Sequence, residues 1–354
     1  MPSAGVSKRL ICVSCLLLLA RAAIAQDATP EATADYRQPV KTIADGRLSV
    51  TVGESTGVVP IYTSVDWSKP QPDVTRALVV FHGRLRNADE YYAGAHQTLA
   101  AAGAAGQGTA LFVPQFLAHR DVTARHLASD VICWQLSEWM GGLDAHTPPN
   151  INPFDVIDAI LARLSDRQTF PSLATVVLAG HSGGGQLVQR YAAVAKGDAA
   201  LLADGVKIKW VVANPSSYLY FTSDRPTTDG RFAPSDPSKH FVLNTWKYGL
   251  ESPPRYVTGS AQQIENAYLA RDITYLLGAA DNDPKLEALD KSDAAEAQGD
   301  SHLTRGINYV HYLQFLHPEM TQKLFIVAGV GHDATKIFSS SEGLSVLFKI
   351  PTGQ

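Results

Sequence analysis

Hydrophobic and polar positions follow two different patterns along the chain. Near its start, "GRLSVTV" (46–52) and "VVPIYTSV" (58–65) alternate apolar with polar residues and are rich in β-branched side chains. That is the pattern of half-buried strands, and the short polar turn between them predicts an antiparallel hairpin. Further on, "ALVVFHG" (77–83), "TALFVPQ" (109–115), "LATVVLAG" (173–180), "KWVVANP" (209–215), "DITYLLGA" (272–279) and "KLFIVAGV" (323–330) are continuous apolar runs. A strand covered on both faces needs apolar residues at odd and even positions alike, so these runs predict a parallel sheet between helices. Helical patterns lie between them at 88–106, 152–167, 184–195 and 303–317; the second opens with Asn152 as cap and Pro153 at the first helical position. The alternation predicts an α/β fold with a doubly wound, mostly parallel sheet and N-terminal antiparallel strands.

Two stretches break the rhythm. Residues 117–150 carry Trp134, Trp139, Met140 and "GGLD" without strand or helix periodicity. Residues 216–271 form a larger insertion with "YLYF" and "TWKY" among prolines and serines. Long excursions inside a compact domain usually wall a binding site, and these aromatics are too many for solvent, so a cap or lid is expected at 216–271.

Composition places the chain among globular proteins: 354 residues, 45% hydrophobic and 18% charged. Residues 1–25 stand apart. Lys8 and Arg9 precede the apolar run Leu10–Ala20, and small residues at Ala23 and Ala25 precede Gln26. This predicts a secretory signal peptide, its apolar run too short to span a bilayer, and export to a periplasm or beyond. Residues 26–44 are expected as a flexible lead-in to a domain at 45–354. Cleavage after Ala25 would remove three basic residues and no acidic one, moving the net charge from −4 to −7. An acidic exported protein is a poor partner for nucleic acid, and no further segment predicts membrane insertion. Cys12 and Cys15 would leave with the signal, so Cys133 could form no internal disulfide. It is expected to be a buried apolar residue. Oligomeric state is left open.

The chemistry is expected at "GHSGG" (180–184). In G-x-S-x-G a serine sits on a sharp turn between strand and helix, where side chains two before and two after it would collide with the backbone. Here an apolar run precedes the motif and an amphipathic stretch follows. The patterns of phosphate loops, G-x-x-x-x-G-K-[ST] and G-x-G-x-x-G, do not fit. Ser182 is therefore the candidate nucleophile. A serine needs a histidine base, and the base needs a partner that holds its tautomer. Asp281, just past the strand "YLLGA", is preferred as that partner over Asp283, which precedes Pro284 and reads as a helix cap. His332 follows the last strand and is the candidate base; His302, His311 and His317 belong to the preceding helical region and read as packed or solvated. Backbone N–H groups of Gly183 and of Arg84, in "HGRL" after the first parallel strand, are the candidate oxyanion donors. His82 is expected to brace that loop, and His181 to pack beside the turn. His82, Trp139, Tyr218 and Trp246 are the candidate substrate-binding residues. No cofactor or metal is implied, since HExxH and Cys/His clusters are absent from the sequence.

With "HG" after an early strand, "GHSGGG", "GAAD" and "GVGH" in this order, the chain resembles the α/β-hydrolase superfamily over most of residues 45–350, as an exported serine esterase or lipase relative. The resemblance implies the α/β-hydrolase fold, Ser182 as nucleophile, Asp281 as acid, His332 as base, and the insertion as cap. It implies a small-molecule or polymeric ester as substrate; amide or peptide bonds and carbon–carbon bonds of diketones use the same machinery. "HGRL" departs from the "HGGG" of some short-ester esterases. A non-catalytic binding protein that retains the fold is the alternative of another class.

Overall fold

A computed structural model describes residues 35–351 except Pro237 and Lys239. The expected signal peptide lies outside the described residues. An eight-stranded sheet forms the centre: β1 (Gly46–Val52), β2 (Ser55–Thr63), β3 (Arg76–Phe81), β4 (Thr109–Pro114), β5 (Thr175–His181), β6 (Lys207–Ala213), β7 (Asp272–Gly278) and β8 (Lys323–Val327), in the order β1-β2-β4-β3-β5-β6-β7-β8. β1 pairs antiparallel with β2, and β2 with β4; all further pairs are parallel. The expected hairpin and the six continuous runs all appear as strands.

Continuous apolar runs are explained by where successive side chains go. Ala77, Val79 and Phe81 join one cluster, while Leu78 and Val80 join the other. Val176 and Leu178 divide from Val177 and Ala179 in the same way. The period of two thus feeds two separate cores, one on each face. α1 (Ala88–Ala102) covers one face, together with α6 (Ala334–Ser339) and α7 (Ser341–Phe348). α2 (Pro153–Leu164), α3 (Gly183–Val194), α4 (Ala261–Leu269) and α5 (His302–Leu316) cover the other. α2 begins as expected: the Asn152 side chain accepts from the Phe154 N–H, and Asp155 accepts from the Asn152 N–H.

The register sets one common edge. Phe81 pairs with Gly180, His181 with Ala213, Ala213 with Leu276, and Gly278 with Val327. The loops after β3, β5, β6, β7 and β8 therefore leave the sheet side by side, at its carboxyl edge.

The insertion differs from the expected lid in how its aromatics are used. Tyr218, Leu219 and Tyr220 are fully buried, and Tyr218 stacks on Tyr309 of α5 with centroids 4.4 Å apart. The segment docks on α3, every residue of which is buried. Gln189 accepts from the Leu219 N–H and donates to the Tyr309 hydroxyl, while Arg190 donates to the Lys247 carbonyl and the Ser217 hydroxyl. Polar side chains on a buried helix thus find their partners in the segment that covers it.

The described part of the lead-in, residues 35–44, is tied down. Arg86 and Asp121 form a fully buried ion pair at 2.6 Å. Arg86 also donates to the carbonyls of Tyr36, Gln38 and Arg84, and Asp121 accepts from the N–H groups of Val40 and Ala118. One buried pair therefore fixes the lead-in, the 117–121 turn and the loop after β3. Removing one partner of such a pair strands a charge. Arg86→Met should lower stability by about 3–5 kcal/mol in urea unfolding, and Arg86→Met/Asp121→Leu should recover part of that loss. A single-variant change within about 0.5 kcal/mol would refute this role for the pair.

Candidate active site

β5 turns into α3 with almost no space. Ser182 has φ 55° and ψ −118°, a conformation that a side-chain-bearing residue adopts only where its surroundings force it. A Cβ on Gly180 would stand 2.1 Å from the Gly184 carbonyl oxygen, and one on Gly184 would stand 2.1 Å from that of Phe81. A Cβ on Gly185 would stand 2.6 Å from the Ala213 carbonyl oxygen, still closer than a side chain permits. The glycines around Ser182 are thus required by backbone contacts with β3, β6 and the turn itself. The Ser182 N–H donates to the Ala213 carbonyl, which ties the turn to the neighbouring strand. At Gly183 a Cβ would meet the Met140 sulfur at 2.4 Å and the Arg84 backbone nitrogen at 3.1 Å. The two expected oxyanion donors, the N–H groups of Gly183 and Arg84, are therefore neighbours beside Ser182, with Gly183 opening α3 at its electropositive end.

Asp281 follows β7 and is 3% exposed. Its Oδ2 accepts a hydrogen bond from His332 Nδ1 at 2.7 Å. His332, on the loop after β8, is buried, and its ring lies 4.6 Å from that of His181, the residue before Ser182. A bond from Nδ1–H to a carboxylate leaves Nε2 as the basic nitrogen. The other oxygen of Asp281 is taken by a histidine that sequence reasoning set aside: His302 Nδ1 lies 3.0 Å from Oδ1. Burial alone would raise the Asp281 pKa, but the two imidazoles outweigh it, and the carboxyl is held well below the usual range. Asp283, by contrast, is exposed and accepts from the Lys285 N–H in a local turn. No helix follows it, so the expected cap closes only that turn.

Burial pushes His82 and His302 down to about 4, and His181 well below its ordinary value. His82 is neutral for a visible reason: its Nε2 accepts from the Phe116 N–H, so its proton sits on Nδ1, facing the Gly83 carbonyl. It braces the loop, as expected. Cys133 is buried, and burial raises its thiol to about 11.

The cavity over Ser182 encloses about 360 Å³. None of the four candidate substrate-binding residues lines it. His82 and Trp139 are fully buried, with Trp139 edge-on to His82 and stacked on Phe116 at 5.1 Å. Tyr218 lies in the tyrosine cluster on α5, and Trp246 donates its indole N–H to the Gly141 carbonyl. These large rings hold the walls together from behind. The lining is instead formed by Arg84, Ser137, Met140, Gln186, Ser216, Lys247, Tyr248, Ala288, Leu289, Asp290 and Lys291, with Ser182 and Gly183 at the base. Lys247 Nζ lies 3.2 Å from Asp290 Oδ2, which also accepts from the Tyr248 hydroxyl at 2.8 Å. Burial would raise Asp290, but the Lys247 charge and these donors hold it well below the usual range. No periodicity marked Lys247 or Asp290, because both sit in irregular segments.

Asp281, His302 and His332 also have ligand atoms within 4.8 Å of one another. Both Nδ1 atoms already point N–H groups at the carboxylate, so a metal ion there would have to displace the protons that hold the cluster together. Among the described residues no helix is long and apolar enough to cross a membrane.

Solved structures that resemble most of the chain include two named for the hydrolysis of polymers. Poly(aspartic acid) hydrolase-1 from Sphingomonas sp. KT-1 is 20% identical, with a TM-score of 0.56 over 86% of this chain and 99% of that one. LpqC, a poly(3-hydroxybutyrate) depolymerase from Bordetella parapertussis, is 19% identical, with a TM-score of 0.56 over 87% of this chain and 92% of that one. At this identity the likeness establishes the fold. No curated protein matches the sequence. Residues 78–336 match the alpha/beta hydrolase family, and that span runs from β3 to the helix after His332. With the sheet order, the turn at Ser182 and this match in agreement, the chain belongs to the alpha/beta hydrolase family.

Proposed function

We propose that this hydrolase cleaves carboxylic esters through an acyl-enzyme on Ser182. The observation that carries the reading is the Asp281–His332 hydrogen bond, with the His332 ring 4.6 Å from that of His181, the residue that precedes a serine at positive φ. His332 Nε2 takes the Ser182 proton as the hydroxyl attacks the ester carbonyl, and Asp281 stabilises the imidazolium that forms. The Gly183 and Arg84 N–H groups meet the oxyanion. His332 returns its proton to the leaving alkoxide, and water, deprotonated by the same imidazole, then releases the acid. The pattern of residues 1–25 supports export.

The lining favours polar over greasy substrates. Arg84, Lys247, Asp290 and Lys291 surround the space above Ser182, and the candidate substrate-binding residues His82, Trp139, Tyr218 and Trp246 are buried elsewhere. The acyl or alcohol part therefore carries polar or charged groups. The two structural relatives are named for hydrolysis of polymers, which is compatible with a polymeric substrate.

A fluorophosphonate probe should label the wild-type protein on Ser182. Ser182→Ala should abolish the label and lower kcat roughly 10⁴- to 10⁶-fold; equal labelling of the variant would rule the assignment out. Asp281→Asn should reduce kcat by about 10⁴-fold, because the amide favours the wrong tautomer of His332, whereas Asp283→Asn should leave turnover unchanged. The opposite result would transfer the acid to Asp283. On a panel of esters and matching amides, kcat/KM should be highest for esters with short or polar acyl groups and should fall as alkyl chains lengthen. A maximum at long alkyl chains, or faster cleavage of the amides, would contradict the substrate class.

A further inference from the structure

Asp281 is shared between two imidazoles. His332 takes Oδ2 and His302 takes Oδ1, at 2.7 and 3.0 Å. The two rings stack, with centroids 4.3 Å apart and planes 21° from parallel. On its far side His302 Nε2 meets the Ser216 hydroxyl at 2.6 Å, and Ser216 lines the cavity that holds Ser182. His302 itself is 1% exposed and is not part of the lining.

We propose that His302 is a positioning residue: it fixes the Asp281 carboxylate that orients His332, and Ser216 holds it in the tautomer this requires. The inference rests on the serine-hydrolase reading and deepens it. An aspartate bonded through one oxygen retains freedom about χ2, which is a broad torsion. Donors on both oxygens define the carboxylate plane and, through it, the His332 ring. The tautomer follows from the partners. A carboxylate can only accept, so His302 Nδ1 carries the proton; Nε2 is then an acceptor, and the Ser216 hydroxyl donates to it at 2.6 Å in preference to the Ala288 carbonyl, which lies farther away at 3.2 Å. Ser216 is not a second nucleophile of the Ser182 kind, since it has no glycine within two residues and no positive φ.

The helix that carries His302 is seated on the same loop. Ser301 caps α5 through the Thr304 N–H, and the Leu303 N–H donates to the Asp281 carbonyl. His302 is therefore the first residue of a helix whose N-terminal turn is hydrogen-bonded to the Asp281 backbone. Asp281, His332, His181 and the Arg305 guanidinium are charged or titratable groups that act on His302, and burial pushes it down to about 4 despite the carboxylate. A neutral ring is what the site needs, because a cation stacked on His332 would oppose the imidazolium that forms there during attack. By drawing on one oxygen, His302 also weakens the pull of Asp281 on the His332 proton.

The test compares His302→Phe, which keeps a ring and loses the donor, with His302→Asn, whose Nδ2–H stands where Nδ1–H stood. In His302→Phe kcat should fall about 10–100-fold, a loss typical of removing the group that orients a reacting side chain, with KM within about twofold because His302 is outside the cavity wall. The acidic limb of its kcat/KM profile should move to higher pH, by about half a unit, as Asp281 regains charge for His332. His302→Asn should restore the limb and most of the kcat. Wild-type turnover and an unmoved limb in a folded His302→Phe would overturn the proposal, as would a fall in kcat that Asn does not rescue. If His302→Phe does not fold, nitrogen NMR of histidine-labelled wild type decides. It should show His302 neutral and protonated on Nδ1 from about pH 5 to pH 8; a proton on Nε2, or titration in that range, would overturn the proposal. Fluorophosphonate labelling of the wild type separates this outcome from failure of the hydrolase reading: an unlabelled wild type counts against the latter, while the NMR result still tests the former.

Discussion

The backbone contact between the end of β5 and the start of α3 sets the terms for everything around it. Gly180, Gly184 and Gly185 bring carbonyls of β3, β6 and the turn to distances that no side chain permits, and Ser182 is left at φ 55° as the residue that protrudes. A non-glycine residue in such a conformation costs about 1–3 kcal/mol, which the surrounding structure must offset. It does so by locking the turn on all sides. The Ser182 N–H holds the end of β6, α3 is buried along its whole length, and the Arg86–Asp121 pair fixes the loop that brings the Arg84 N–H beside Gly183. The sheet register then delivers Asp281 and His332 to the same edge.

The second constraint is a buried negative charge. Asp281 is nearly inaccessible, and an isolated carboxylate there would be expensive. Two imidazole donors, from His302 and His332, keep it ionised. That choice matters chemically. A strong cation beside Asp281 would cancel the charge that His332 needs, whereas neutral imidazoles satisfy its lone pairs and leave the charge in place. The cavity above uses a different balance, with Asp290 held by Lys247 and Tyr248, so its polarity is fixed independently of the reacting groups.

The sheet was legible because its signal is local and repeated: six continuous apolar runs, each feeding two cores by alternation. The candidate residues Ser182, Asp281 and His332 could be picked out because each closes such a run at its carboxyl end. The walls were not. Trp139, Tyr218 and Trp246 suggested a binding surface because aromatic residues in loops imply contact with something, yet what they contact is the protein itself. Composition cannot distinguish a ring that faces a ligand from one that props the wall behind it. His302 was missed for a related reason. It belongs to a helical segment, so its periodicity pointed to packing, and only the docking of the α5 N-terminus on the Asp281 loop turns its first residue toward the acid. The signal available in the sequence was Ser301 as cap, which marks His302 as the first helical residue without saying what it faces.

The central claim is that a covalent acyl group passes through Ser182. Rapid-quench mass spectrometry with an activated polar ester addresses it most directly. The account predicts a burst of alcohol release, with the acyl mass appearing on the peptide that contains Ser182 and decaying at the rate of steady-state turnover. Turnover at full rate with no acylated peptide, or an acyl group on any other residue, would contradict it.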